Sequence, residues 1–376
     1  MGYLRFYLSI IVVMSHLSTG AFYGHPEVNL LSVGPINAVR MFFIISGFYM
    51  AMVFYKYSSP FEFYLSRALR LYPIYWLTLV VTIAIAFILH ETKIGGFIDL
   101  TVWFQGGSLF AKALLFLSNF SFFGLDLSYF YCVGANHAQF ALMSWSDCPT
   151  GYLIGIQKVV LDPPAWTLAL ELYFYLLVPI FFVMKIRAVI AIAIFSVALT
   201  LFIMAIHLPH HDILDRVFFP AELYLFLIGF LAYKLKNYIN RSVGLSCSLL
   251  SLMLILIYNH IPVANIGSLY IWQDLLLFGI FTLALPTLFK FGEHIPGERF
   301  IGDLSYPIYI SHTCVLSLIY YLGTQHFLNM WAWVMLNLIS VIIFSFSLLL
   351  MSRPCESLRH HLFPAGRENS RHPSKL

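Results

Sequence analysis

Charge is what this sequence has least of. Only 10% of its 376 residues are Asp, Glu, Lys or Arg, against roughly 25% in a soluble domain. So few charges cannot coat a water-facing fold of this size, and no nucleic-acid partner is expected without clustered Lys and Arg. Cysteine is also scarce. Cys132, Cys148, Cys247, Cys314 and Cys355 form neither a CxxC nor a Cys/His metal spacing, so no metal is expected. Cys132 and Cys148 share a long loop and have two readings, a pair in an oxidising compartment or two free thiols. Heptads, a nucleotide-binding glycine loop and internal repeats are lacking, and small-xxx-small spacing is not prominent.

What is present is apolar. Hydrophobic residues make up 60% of the chain, mean hydropathy is +0.84, and there are 36 Phe and 23 Tyr. That composition suits a bilayer with aromatic interfacial belts. Segments long enough to span, or nearly so, are 6–24, 37–55, 71–90, 166–184, 188–207, 217–234, 244–261, 268–289, 303–323 and 330–352. A shorter apolar segment, 108–123, carries Lys112, Ser118 and Asn119. With the N-terminus inside, 16 of the 21 basic residues fall on the inner side and five, Arg40, Lys93, Lys112, Lys158 and Arg216, on the outer. Counting 108–123 as a full span would invert everything after it and destroy that bias. It therefore reads as re-entrant or as a short helix packed in the protein. The expectation is an all-α, polytopic transmembrane bundle over 1–352, with about ten spans and both termini cytoplasmic. A basic tail, 353–376, is expected to be disordered. A secretory signal is the competing reading of the first segment, because Arg5 precedes an apolar run and Ser18, Thr19, Gly20 and Ala21 follow. The polar Ser15–His16 inside the run argues against it.

Polar residues inside the apolar segments are the candidates for chemistry. Arg5 and His16 lie eleven residues apart on the first helix, about three turns, so they share a face roughly 16 Å apart along the axis. His16 then falls near the midplane. It reads as a buried polar residue bonded to a neighbouring helix, or as a general base or nucleophile. Arg67 and Arg70, at i,i+3 in the turn before Pro73, are inner-surface anchors or a clamp for a pyrophosphate or sugar phosphate. Ser46–Gly47 permits close helix approach, or lets a thin acyl or pantetheine chain pass. Glu171, near 7 Å deep in the helix led by Trp166, reads as a partner of His16 or of an acceptor hydroxyl, or as an ion pair with Arg40 or Arg216. Gly302, Ser305, Tyr306 and Pro307 punctuate the start of a span whose His312 is again near mid-depth, as a satisfied core histidine or a substrate-site group. His137, His207, His210, His211 and His260 fall in loops or at helix ends and read as solvated. The loop 124–165, with Pro163–Pro164 before a helix, is the largest non-spanning stretch and lies beside Glu171.

In order, these stretches resemble the acyltransferase-3 family of integral-membrane acyltransferases across nearly the whole chain. Members carry Arg, ten residues and His on the first helix, similar to Arg5 and His16. They carry an FF-x-x-SGF stretch, similar to Phe42–Phe48. An F-x-x-R-x-x-R-x-x-P-like turn is similar to Arg67, Arg70 and Pro73. A W-[ST]-L-x-x-E helix is similar to Trp166–Glu171, and a G-x-x-SYPxYxxH helix to Gly302–His312. The chain departs from many relatives at Arg40, where they have an acidic residue, and at Leu172, where they have a second Glu. The resemblance implies transfer of an acyl group, often acetyl, from cytoplasmic acyl-CoA (acetyl-CoA) to a hydroxyl of a cell-surface polysaccharide, as in lipopolysaccharide modification, or of a lipid-linked sugar. It implies His16 as the essential histidine and Arg5, Arg67 and Arg70 as donor contacts. The residue reading above adds Glu171 beside the chemistry and Ser46 and Gly47 along the donor's path. The resemblance also implies a bacterial cytoplasmic (inner) membrane and assigns no oligomeric state. Two competing classes use similar residues. A transporter or glycan exporter would run a His/Arg/Glu proton relay and should show inverted repeats. A polyprenyl-linked glycan polymerase should have an Arg-rich outer loop, whereas 124–165 has Lys158 alone.

Overall fold

A computed structural model describes residues 1–18, 33–88, 109–127, 160–206, 216–260, 269–323 and 327–363, with Leu214 and short strand segments between them. Among the described residues there are eleven α-helices. They are α1 (Gly2–Ser18), α2 (Pro35–Val53), α3 (Pro60–Ile88), α4 (Leu109–Ser121), α5 (Trp166–Val183), α6 (Ile186–Ala205), α7 (Phe219–Lys234), α8 (Arg241–Ile257), α9 (Leu269–Gly292), α10 (Glu298–Tyr321) and α11 (Met330–Leu362). The chain is thus an all-α bundle. The connections add a hairpin of β1 (Lys93–Ile94) and β2 (Ile98–Asp99) and a small sheet in which β3 (Tyr131–Gly134) lies between β4 (Ala141–Leu142) and β5 (Tyr152–Gly155), all pairs antiparallel. By length and composition α2, α3, α5, α6, α9 and α11 can each cross a bilayer, and α1 and α8 are shorter apolar helices. The chain is a multi-pass membrane protein.

Each apolar segment expected from the sequence falls on a helix, with shifted ends. α3 starts at Pro60 and runs through Pro73. α11 runs through Pro354 to Leu362, so residues 353–362 are helical, not the disordered tail expected from their charge. Residues 364–376 lie outside the described residues, as do Cys148 and with it the expected Cys132 pairing, and His137, His207, His210 and His211.

The segment 108–123 is the short helix α4, thirteen residues and roughly 20 Å long. Its last carbonyls would be left without intrahelical donors. Side chains from one stretch of α3 satisfy them. Tyr72 donates to the Ser121 carbonyl at 2.8 Å, Trp76 to Phe120 at 3.0 Å, and Tyr75 to Asn119. Asn119 Oδ1 in turn accepts from the Leu161 amide at 2.8 Å, which ties α4 to the turn before α5. Just beyond α4, Asp126 accepts from Tyr173 of α5 at 2.9 Å.

Two close helix contacts set the rest. α2 and α7 meet through Gly47 and Gly229: a Cβ on either would lie 1.9 Å from the carbonyl oxygen of Phe226 or Ile44 respectively. α1 and α10 run parallel. A Cβ on Gly2 would lie 2.0 Å from the Glu298 carbonyl, and one on Gly302 would lie 2.8 Å from Gly2 Cα. Most buried apolar side chains form one core around α2, α5, α7 and α9, while Val13, Leu17, Ile308, Leu316, Trp333 and Val334 form a second between α1, α10 and α11.

Gly229→Val should sharply lower the thermal midpoint in detergent, since overpacking a tight core costs about 1–3 kcal/mol and here the clash is with backbone. Gly279→Ala, where an added Cβ meets nothing within 4 Å, should be neutral or slightly stabilising. Equal midpoints for the two would contradict the α2–α7 contact. A second expectation concerns pH. Burial raises the Asp126 carboxyl to about 6, against lowering hydrogen bonds from Tyr173 and the local backbone. A carboxyl whose folded value lies above its unfolded value of about 3.9 binds more protons when folded. Its contribution is therefore full at acid pH and lost as pH rises through about 6. Asp126→Asn should flatten the fall in thermal midpoint between about pH 4 and pH 6.5; parallel curves for the two proteins would refute it.

Candidate active site

A chamber of about 550 Å³ lies inside the bundle. On α2 its lining runs from Val39 to Val53, fourteen positions and roughly 21 Å along the axis. Gly2 and Arg5 of α1, Arg67 and Arg70 of α3, Glu171 and Tyr175 of α5, and Asp303, Ser305, Tyr306 and Tyr309 of α10 complete its walls. The end of α11 adds Glu356, Arg359 and Phe363 at the mouth beside the start of α1. Of the residues singled out from the sequence, the chamber gathers Arg5, Arg67, Arg70, Ser46, Glu171, Ser305 and Tyr306.

Five arginines and five carboxylates line this space, and three of the arginines are the ones singled out above, Arg5, Arg67 and Arg70. Arg67 is buried. Its Nη2 donates to the Tyr57 hydroxyl at 2.8 Å, and Tyr57 is held by Ser66 at 2.8 Å. Its Nε, also buried, has no hydrogen-bond partner among the described residues. A buried unsatisfied donor costs about 1–3 kcal/mol, more for a charged group. Arg5 lies over the Tyr49 ring at 5.9 Å and makes no ion pair with a described residue. Arg70 has a loose, part-exposed pair with Asp303 at 3.8 Å.

Glu171 is bound on the chamber wall. Ser46 donates to its Oε1 at 2.6 Å, and Tyr175, one turn on, donates to the same oxygen. The expected pairing of Glu171 with His16 is therefore not made: its carboxylate is committed to hydroxyls of α2 and of its own helix. Nor does it pair with Arg40. Buried Arg40 donates to Glu222 of α7 at 2.7 and 3.0 Å and reaches Asp274 of α9 at 3.5 Å, where Asn37 and Tyr258 also converge. Gly47 is corrected too. It does not line the chamber; it faces α7, where its missing side chain admits the Phe226 carbonyl, so it packs helices and passes no acyl chain. Ser305 bonds back to the Gly302 carbonyl at 2.6 Å, and Tyr306 donates to Leu71 of α3 at 2.8 Å, which pins α10 to α3.

His16 is not a lining residue. It sits past the far end of the chamber, beside His312, with ring centroids 4.9 Å apart and His16 Nδ1 3.4 Å from His312 Nε2. A run of ring contacts joins the pair to the chamber: His312 to Tyr309 at 6.2 Å, and Tyr309 to Phe42 at 5.9 Å. Thr167 holds that junction, its hydroxyl 3.0 Å from both the Tyr309 hydroxyl and the Pro164 carbonyl. The register follows from the parallel α1–α10 contact, since Gly2 bonds to Glu298 and His16 to His312 with the same offset of 296 residues. Sequence reasoning missed Tyr57, Tyr175 and Tyr309. Tyr175 stands at i+4 from Glu171 and could have been found by that spacing; Tyr57 lies in a link between helices and carries no periodic signal.

The site is thus a chamber lined by arginines and carboxylates inside a multi-pass helical bundle, with a pair of imidazoles packed beyond Tyr309. A scan against protein-family models matches residues 1–350 to the family whose description is "Acyltransferase domain". That match spans nearly all of the chain, which belongs to the acyltransferase-3 family and is a membrane acyltransferase. Searches of curated proteins and of solved structures return no match.

Arg40→Met should leave the Glu222 carboxylate buried without its cation, a loss of about 3–5 kcal/mol that a thermal melt would register. Arg40→Met combined with Glu222→Leu should recover most of it. An unchanged midpoint in the single variant would show that the pair carries no such burden.

Proposed function

We propose that this acyltransferase moves an acyl group, acetyl first of all, from cytoplasmic acyl-CoA to a hydroxyl of an extracytoplasmic cell-surface polysaccharide or lipid-linked sugar. One observation carries the reading: the chamber that Arg5, Arg67 and Arg70 line reaches Phe42 and Tyr309, and the Tyr309 ring packs against His312, which neighbours His16. The orphan Nε of buried Arg67 fits a phosphate oxygen, as charge-assisted N–H···O contacts are the strong ones. The donor's phosphates would lie among the three arginines, with its thin arm along α2 and its thioester at the Phe42–Tyr309 end. The excess of basic residues on one side supports a mouth facing the cytoplasm of a bacterium, across the inner membrane.

The chemistry balances without a further reagent. The acceptor hydroxyl gives its proton to His16 as its oxygen attacks the thioester carbonyl carbon. The C–S bond breaks, and the departing thiolate takes the proton from the imidazolium, leaving ester, CoA thiol and neutral His16. Glu171, held by Ser46 and Tyr175, is a fixed acceptor for a hydroxyl or amide of the donor arm.

Membranes that carry the protein should consume labelled acetyl-CoA and place the label on glycan or lipid-linked sugar. His16→Ala should abolish labelling with normal abundance in the membrane, and Arg67→Gln should raise KM for acetyl-CoA about ten-fold or more, the effect of losing one charged hydrogen bond worth about 1.5–3 kcal/mol. Transfer that persists in His16→Ala would overturn the assignment.

A further inference from the structure

We propose that His312 is the positioning partner of His16, taking the orienting role that a carboxylate plays in a catalytic triad and fixing which ring nitrogen of His16 accepts the proton. The argument starts from two carbonyls. His312 Nδ1 lies 2.7 Å from the Tyr309 carbonyl oxygen, and His16 Nδ1 lies 2.9 Å from the Val12 carbonyl oxygen. A carbonyl only accepts, so in each neutral ring the hydrogen sits on Nδ1 and the lone pair on Nε2. His312 therefore presents an Nε2 lone pair to His16, and His16 Nδ1–H is shared between Val12 and His312 Nε2 at 3.4 Å. In that tautomer Nε2 carries the lone pair of the His16 ring and is its basic atom. When it takes a proton, the imidazolium keeps its Nδ1–H aimed at an acceptor that is already in place, which lowers the cost of reorganisation during the transfer.

His312 is built to stay put. It is fully buried. The residues on either side of it are tied to different parts of the bundle: Ser311 meets Ser345 of α11 at 3.2 Å, and Thr313 donates to buried Asp162 at 3.1 Å. Both of its own nitrogens are engaged, by Tyr309 and by His16. Glu171, the carboxylate that could have orienting duty, is bound elsewhere. A neutral acceptor also suits the interior of a membrane bundle, where a lone carboxylate would be costly.

This inference rests on the acyl-transfer reading for its role in turnover, but the ring arrangement can be tested apart from it. Solid-state NMR of the full protein in bilayers, labelled with ¹⁵N-histidine and assigned by comparison with His16→Gln, should find neutral His16 with hydrogen on Nδ1 and none on Nε2. Its Nδ1 resonance should move in His312→Phe. Hydrogen on Nε2 of His16, or a resonance indifferent to His312→Phe, would overturn the proposal whether or not the protein uses acetyl-CoA. In the turnover arm, His312→Phe should lower kcat for labelled acetyl-CoA about 100-fold or more with KM within about two-fold. His312→Gln, whose carbonyl can still accept, should recover at least about ten-fold of that loss. An unaltered kcat in His312→Phe, or equal loss in both variants, would count against it. A wild-type protein that leaves acetyl-CoA untouched would sink the acyl-transfer reading alone, and the NMR result would still decide the histidine pair.

Discussion

How near α1 can come to α10 governs everything at this site. Gly2 and Gly302 are opposed there, and a single added carbon on either would strike backbone. Helices whose contact carries side chains pack about 8–10 Å apart; the opposed glycines allow a closer parallel approach at one end. Fourteen residues further along α1 and ten along α10, two imidazole nitrogens lie 3.4 Å apart. The glycine that opens the Gly302–His312 stretch and the histidine that closes it thus serve one end: the first sets the distance and the second uses it. The same contact turns Arg5 toward the chamber, because Gly2 and Gly302 themselves form part of its wall.

The arginines divide by what surrounds them. Arg40 is enclosed with Glu222 and Asp274, and its hydrogen bonds are spent inside the protein. Arg5 and Arg67 have aromatic rings and a tyrosine hydroxyl for company and no described carboxylate within ion-pair distance. In a medium of low effective dielectric the field of such cations is far stronger than in water. Glu171 sits on the same wall, shared between Ser46 and Tyr175, and Glu62, Glu298, Asp303 and Glu356 also border the space.

Much of this was legible from the residue order. Helix positions followed from apolar runs, and the gathering of Arg5, Arg67 and Arg70 on one chamber followed from their falling at one level. What could not be read was partnership. Eleven residues between Arg5 and His16 say that they share a face; they do not say that one faces a cavity and the other a histidine some 300 positions away in the chain. Gly47 allowed two readings, a close helix contact or an opening for a thin chain, and it is the contact, because sequence cannot tell which neighbour a glycine faces. Glu171 looked like the natural mate of His16 by charge and depth, yet two hydroxyls, one of them only four residues along its own helix, hold it elsewhere. Residues 353–362 looked like a tail by charge, yet they continue the last helix, and Glu356, Arg359 and His360 among them border the chamber mouth.

The central claim is that the acyl end of the donor reaches the junction between the chamber and the paired histidines. It is tested most directly by cross-linking the purified protein with an acyl-CoA that carries a diazirine in its acyl chain and mapping the label by mass spectrometry. The account expects label on α2 near Phe42 and on α10 near Tyr309 and His312, removed by excess CoA. Label confined to the outward faces of helices such as α6 and α8, or label that CoA does not displace, would contradict it.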